Sequence, residues 1–261
     1  MTPKKPIAVV GMAGLFPGAD NVEIFWQNIL NGMDACAEVD PDRWRVAPDT
    51  MYHPKPQPDK AYSKRCNLIT DFKFDPAGFD IDPNLLVALD PLHQIVLQVG
   101  KEAVGGIPQT SLNRRRTGVI LAAIALPTDA TSEITHQILG AAFEEKLFHD
   151  TRHTSFNDSH TAFSRTQYLS SRVTSLPAAI LARAFGLGGG TYTLDAACAS
   201  SLYAVKLACD ELHAYRTDAM LAGGVSRPNC LFTQVGFSQL KALSPSGRCT
   251  PFDRNADGLV V

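Results

Sequence analysis

The stretch TYTLDAACASSLYAVKLACDEL, Thr191 to Leu212, places one cysteine, Cys198, where a strand hands over to a helix. Thr191-Tyr192-Thr193-Leu194 carries β-branched and aromatic residues after a glycine run and reads as a short buried strand. Asp195-Ala196-Ala197 is a tight corner of small residues. Beyond it Cys198, Leu202, Val205, Cys209 and Leu212 recur at helical spacing, which puts Cys198 in the first turn of a helix. The unpaired N–H groups and the positive dipole end found there favour a thiolate. The same N–H groups can hold a developing oxyanion. A free cysteine reads first as a small core residue; the corner and the helix start argue against that here. Ala197, Ala199, Ser200 and Ser201 leave the sulfur uncrowded, open to a long thin substrate.

Further motifs surround this one. Gly189, Leu194, Ala197-Cys198-Ala199-Ser200-Ser201 and Val205 stand at fixed intervals. Ile7-Ala8-Val9-Val10-Gly11-Met12-Ala13-Gly14-Leu15-Phe16-Pro17-Gly18-Ala19 opens the chain, followed by Phe25-Trp26-Gln27-Asn28-Ile29-Leu30-Asn31-Gly32 and Asp42-Arg43-Trp44. Asp80-Ile81-Asp82-Pro83 and Ala88-Leu89-Asp90-Pro91 come next. After the cysteine come the run from Ala219 to Val225, the run from Phe237 to Ser244, Arg248-Cys249-Thr250-Pro251-Phe252-Asp253, and Asp257-Gly258. Together they resemble the β-ketoacyl synthases, from Lys5 to Val261, and most closely the multidomain polyketide and polyunsaturated-fatty-acid synthase branch. The resemblance implies an α/β chain with the thiolase-like fold. It also implies that this chain is the N-terminal half of a ketosynthase domain.

What the family would place downstream is missing from this sequence. Its condensation chemistry uses a cysteine and two histidines, one in a His-Gly-Thr-type motif and one in a Gly-His motif. Here the histidines are His53, His93, His136, His149, His153, His160 and His213; none precedes Gly-Thr and none follows Gly. Only His213 lies beyond Cys198, at the far end of the same helix, about 20 Å away by helical rise. The sequence ends at Asp257-Gly258-Leu259-Val260-Val261, in an apolar run that reads as a strand. The expectation is one domain, 1–261, lacking its C-terminal half, exposing the apolar surface that half covers, and inactive in condensation by itself.

Composition excludes several other classes. The 261 residues, 45% apolar and 19% charged, fit a folded α/β chain. A net charge of −2 leaves no footprint for nucleic acid. Arg114-Arg115-Arg116 precedes a strand and reads as its solvated entry rather than a carrier-protein contact. No apolar run approaches the ~20 residues of a membrane span, and Met1 to Pro6 lacks a signal-peptide core. Six cysteines without a Cys-x-x-Cys pair disfavour zinc and a disulfide framework and suggest a cytoplasmic setting with reduced thiols. Gly11 and Gly14 invite a dinucleotide site, but the Gly-x-Gly-x-x-Gly pattern is absent and Pro17 interrupts the helix it needs.

The remaining elements alternate. Ile7–Val10 reads as a strand, Val22–Leu30 as a helix and Ala47 to Lys60 as a proline-rich surface loop. Pro83 to Gly100 reads as one helix burying Leu86, Leu89, Ile95, Val96 and Val99, and Gly118–Ala125 as a strand. Ile134–Leu147 and Leu176–Ala184 read as helices and Ala219–Val225 as a buried strand. His149, His153 and His160 fall in a polar tail that reads as loop rather than metal site. The loop before Gly186-Leu187-Gly188-Gly189-Gly190 is a few residues shorter than the family's, which bears on pocket shape.

By resemblance, Cys198 is the acylated nucleophile of a 3-oxoacyl synthase. The acyl and malonyl-type groups arrive on the phosphopantetheine of an acyl carrier protein, and no metal or redox cofactor is implied. The partners implied are that carrier protein and a second copy, paired through the Thr191–Leu194 strand. Two alternatives remain. A non-condensing scaffold or chain-length-factor subunit would share the fold, but usually replaces the cysteine. A cysteine hydrolase of another fold would need His93 or His160 brought to Cys198 by folding.

Overall fold

A computed structural model describes residues 5–261 apart from 42, 43, 45, 126, 127, 141, 144, 145, 147–163, 172 and 228–230. The described chain runs α1 (Val22–Leu30), β1 (Ala37–Glu38), α2 (Pro48–Met51), β2 (Arg65–Cys66), α3 (Pro83–Val87), α4 (Pro91–Gly105) and β3 (Thr117–Ala123). It continues through α5 (Asp129–Thr135), α6 (Arg165–Ser171), α7 (Leu176–Phe185), β4 (Thr191–Leu194), α8 (Ser200–His213), β5 (Ala219–Val225) and α9 (Leu231–Gln239). It divides into two compact units: Met1–Gly14, Lys73–Ala125 and Ser155–Arg227 form one, and Leu15–Phe72, Leu126–Thr154 and Pro228–Val261 the other.

The first unit is built on a parallel sheet of order β4-β3-β5. β3 is central, and its Thr117 to Ala122 are all buried, as a parallel strand covered on both faces requires. Alternation sorts its side chains. Val119 and Leu121 pack with Leu86, Leu89, Val96, Leu97, Ala178 and Leu181 of the helices on one face. Ile120 and Ala122 pack with Ala204 and Ala208 of α8 on the other. Gly186 ends α7 in the left-handed conformation, φ 63°, which a side chain disfavours. Arg114-Arg115-Arg116 forms a 3₁₀ turn into β3, and Arg116 is tied to Asp218 (2.8 Å) and the Tyr215 carbonyl (2.7 Å).

Several readings of the sequence need correction here. Ile7–Val10 is not in the ladder; Val9 and Val10 are 83% and 71% exposed. The segment leads instead to Gly11, which lies so close to α4 that a Cβ there would stand 2.1 Å from the Ala103 carbonyl oxygen. The single helix expected over Pro83 to Gly100 is two, because Asp90 caps a new start at Pro91. Its buried stripe is His93, Val96, Leu97, Gly100 and Val104; Ile95 and Val99 are only half-buried. The strand expected over Gly118–Ala125 runs Thr117–Ala123. β4 forms where expected but is half-exposed, since β3 pairs with it on one side only. β5 likewise is half-exposed rather than buried.

The second unit joins β1 and β2 antiparallel, Ala37 opposite Cys66, around Val39, Trp44, Ala61 and Cys66. The buried Gln234 of α9 donates its amide to the Ser63 carbonyl (2.9 Å), and Tyr62 donates its hydroxyl to the Leu243 carbonyl (2.8 Å). Asn21 caps α1, accepting from the Ile24 amide at 2.8 Å. The expected loop from Ala47 to Lys60 contains the short α2. The helix expected over Ile134–Leu147 starts earlier, at Asp129, and continues as a π-helical turn over His136–Gly140. His149, His153 and His160 lie outside the described residues.

Candidate active site

Cys198 stands at the carboxyl end of the sheet, where β4 turns into α8. The corner is more elaborate than a helix start. Ala197-Cys198-Ala199 is a 3₁₀ turn, and the α-helix begins only at Ser200, so Cys198 lies just before the first α-helical turn. Ala197 has φ 50°, a left-handed conformation uncommon outside glycine. Its amide donates to Asp195 Oδ1 (2.9 Å), a turn closed by a side chain two residues back. Its carbonyl accepts from the Ser200 hydroxyl (2.6 Å), which itself accepts from the Ala196 amide (2.7 Å). Ala199 donates to the Ala196 carbonyl at 3.2 Å. The Cys198 amide is absent from these bonds. The Cys198 thiol is free and exposed.

The second oxygen of Asp195 reaches across the sheet. Oδ2 accepts from the Ala125 amide, two residues beyond β3, at 2.9 Å. The Ala125 and Ala197 amides together hold the Asp195 carboxyl below its ordinary range. Asp195 and Ser200 are thus parts of the site. Spacing alone marks them only as small residues of the corner; an Asp at a strand end, two residues before a left-handed position, is the signal that could have found the first.

α8 keeps Cys198 on its outward side. The buried positions are Ser200, Ala204 and Ala208. The stripe begun by Cys198 faces out in its first half, with Leu202 75% and Val205 49% exposed. Close approach explains the choice, since Ala204 and Ala208 let the helix settle onto Ile120 and Ala122. Tyr203 is exposed beside Leu202, so the first turns of α8 carry apolar side chains in solvent.

The described histidine side chains of the first unit have other partners. His213 ends α8, with Nε2 3.0 Å from the Lys5 carbonyl oxygen. His93 is 3% exposed in the first turn of α4, its Nε2 3.2 Å from the Ser170 carbonyl oxygen. His53 contacts Lys55 and Gln57 in the second unit. Among the described residues no group of histidine, cysteine or acidic side chains is arranged to hold a metal, and no helix is long and apolar enough to cross a membrane.

Comparison with known proteins gives the corner its context. The chain is 38% identical to a phenolphthiocerol/phthiocerol polyketide synthase polypeptide of Mycobacterium bovis over 98% of its length, which is 13% of that relative. It is 32% identical to a "Mycocerosic acid synthase-like polyketide synthase" of Mycolicibacterium smegmatis, again over 98% of this chain and 11% of the relative. The chain therefore spans a small part of the curated relatives it matches. Among solved structures, "PfaC Keto synthase-Chain length factor" superposes with TM-score 0.81 and 36% identity, over 97% of this chain and 28% of that one. The ketosynthase from module 6 of the bacillaene synthase of Bacillus subtilis does so with TM-score 0.72 and 28% identity, over 97% and 38%. These neighbours have the thiolase-like fold expected from the sequence. A family model, "Beta-ketoacyl synthase, N-terminal domain", matches residues 4–261, and the chain belongs to that family.

Proposed function

We propose that Cys198 is the acyl-accepting nucleophile of a condensing β-ketoacyl synthase and that this chain supplies the acylation half of its site. The observation that carries the reading is an exposed free thiol at the strand-to-helix corner, at the carboxyl end of the sheet. The Cys198 thiolate adds to the carbonyl carbon of a phosphopantetheine thioester on an acyl carrier protein. The C–S bond to the pantetheine breaks, and the departing thiolate takes up a proton. In the second stage a malonyl-type extender loses CO₂ and its enolate carbon attacks the acyl-Cys198 carbonyl, releasing the Cys198 sulfur. That stage needs enolate stabilisation by the two histidine motifs that this sequence lacks, so they come from elsewhere in the enzyme.

The apolar surface beside Cys198 supports a covered site in the complete enzyme. Leu202, Tyr203 and Val205 are exposed along the first half of α8, and among the described residues β4 pairs on one side only. A C-terminal half over that surface and a second copy along Thr191–Leu194 are the occupants that fit the reading. The chain-length-factor reading is the alternative, favoured by the name of one structural neighbour. The retained cysteine supports the condensing one.

A paired assay tests the proposal. The chain is incubated with an acyl thioester and a malonyl thioester, and thiol acylation and CO₂ release are followed together. Acylation at Cys198 without CO₂ release is expected. Cysteine-dependent CO₂ release and an elongated product would show that other residues carry the chemistry. A Cys198 that takes no acyl group would favour the scaffold reading.

A further inference from the structure

Two bonds meet on Ala197, the residue before Cys198, and a third anchors one of their partners. Its amide is held by Asp195 Oδ1, its carbonyl by the Ser200 hydroxyl, and Asp195 is anchored through Oδ2 to the Ala125 amide. Each bond is 2.9 Å or shorter. A left-handed alanine persists only where its surroundings over-determine it. Relaxing Ala197 would swing the next peptide, which carries the Cys198 N–H. The anchor point matters too, because Ala125 lies just beyond the central strand, which is buried from Thr117 to Ala122. The carboxylate therefore couples the nucleophile turn directly to the sheet.

We propose that Asp195 is a positioning residue for acyl transfer to Cys198: its carboxylate fixes the Ala197 turn to the end of the central strand, so that the Cys198 Sγ and N–H face one carbonyl together. The inference rests on the acylation reading above and assigns a role to a second residue. In acyl transfer the Sγ–C bond forms, the carbonyl oxygen becomes an oxyanion beside the Cys198 N–H, and the donor's C–S bond breaks. The leaving thiolate ends protonated by the proton that Cys198 gave up. Alkylation, in which the Cys198 sulfur displaces iodide from iodoacetamide, generates no oxyanion, so it needs the thiol but not the aligned N–H. Asn in place of Asp195 keeps one acceptor oxygen, but turns its NH₂ toward one of the two amide donors, so one bond is lost. The carboxyl's depressed titration keeps both acceptors ionised through neutral pH.

The test compares two reactions at the same sulfur. Acylation of Cys198 by a short acyl N-acetylcysteamine thioester and its alkylation by iodoacetamide are timed in wild type, Asp195→Asn and Asp195→Ala. The exposed Cys249 in the other unit is the internal reference. A displacement near 1 Å is worth about 10²-fold. The expected result is acylation slowed about 10–100-fold in both variants, with Cys198 alkylation within about twofold of wild type and the thermal midpoint retained in Asp195→Asn. Equal acylation rates in wild type and Asp195→Asn would overturn the inference. So would parallel loss of acylation and alkylation, which marks a merely structural role. A wild-type acyl group that maps away from Cys198 would remove the acylation reading first, and this inference with it.

Discussion

Two aspartate-closed turns of the first unit, one capping α4 and one five residues before α8, share a geometry and differ in exposure. At α4, Asp90 Oδ1 accepts from the Leu92 amide, two residues on, at 2.9 Å. At the α8 corner, Asp195 Oδ1 accepts from the Ala197 amide, also two residues on, at 2.9 Å. Each start carries a chemically capable side chain three residues after the aspartate, His93 in one and Cys198 in the other. Asp90 and His93 are 2% and 3% exposed, enclosed by Ser170, with Arg227 3.8 Å from the Asp90 carboxylate. Cys198 and Asp195 are exposed. A helix N-terminus is therefore not a site by itself. The turn at α4 fixes a buried joint, and the turn before α8 leaves a thiol exposed.

Exchanging the damage between the two starts should break this symmetry most sharply. Cys198→Ala is expected to abolish acyl capture in this chain and elongation in the complete enzyme, with stability within about 0.5 kcal/mol of wild type. Cys198→Gln, in the complete enzyme, is expected to retain extender decarboxylation. His93→Ala is expected to do the reverse, costing about 1–3 kcal/mol in urea unfolding while Cys198 still takes up an acyl group. Elongated product from Cys198→Ala, or an unchanged unfolding midpoint in His93→Ala, would undo the distinction.

Ser200→Ala sharpens it within the α8 corner. The hydroxyl bonds both the Ala196 amide and the Ala197 carbonyl. Its loss is expected to slow acylation of Cys198 by about tenfold and to combine less than additively with Asp195→Asn, because both act on Ala197. Strict additivity in that double-mutant cycle would separate the two roles.

A smaller, pH-dependent difference belongs to His93. Burial pushes its pKa below the ordinary 6.5, against smaller opposing effects of the Ser170 carbonyl and the Asp90 charge. Arg227, beyond β5, is a further charged group at this joint. A folded-state value below the unfolded one means the neutral form is the one the fold prefers. Its contribution is full above about pH 6.5 and is lost as pH falls from there toward the folded value. The wild-type melting temperature should thus drop more between pH 7 and 5 than that of His93→Gln, and equal slopes would argue against a buried neutral imidazole.

What was legible in the sequence follows the range of the interactions. The strand, the corner and the helix around Cys198 are set by neighbours within a few residues, and all three were readable. The start of α4 was written locally as Asp90-Pro91, yet the apolar spacing across it read as one continuous helix. The inward face of α8 was not readable, because Leu202 and Val205 are the better hydrophobes. Only the tight fit of Ala204 and Ala208 against Ile120 and Ala122 turns the larger side chains outward. Burial of His93 depends on Ser170, 77 residues away, and the Asp195 bond to Ala125 spans 70. Periodicity carries no information at that separation. Ile7–Val10 has strand composition, but forming a strand requires a partner edge that composition cannot supply.

The central claim is that the exposed thiol at the α8 corner is the acyl acceptor. Mass-spectrometric mapping of the adduct after incubation with an acyl thioester tests it most directly. The acyl group is expected on Cys198 and not on Cys36, Cys66 or Cys209; acylation at Cys209, Cys230 or Cys249 with Cys198 unmodified would contradict that assignment.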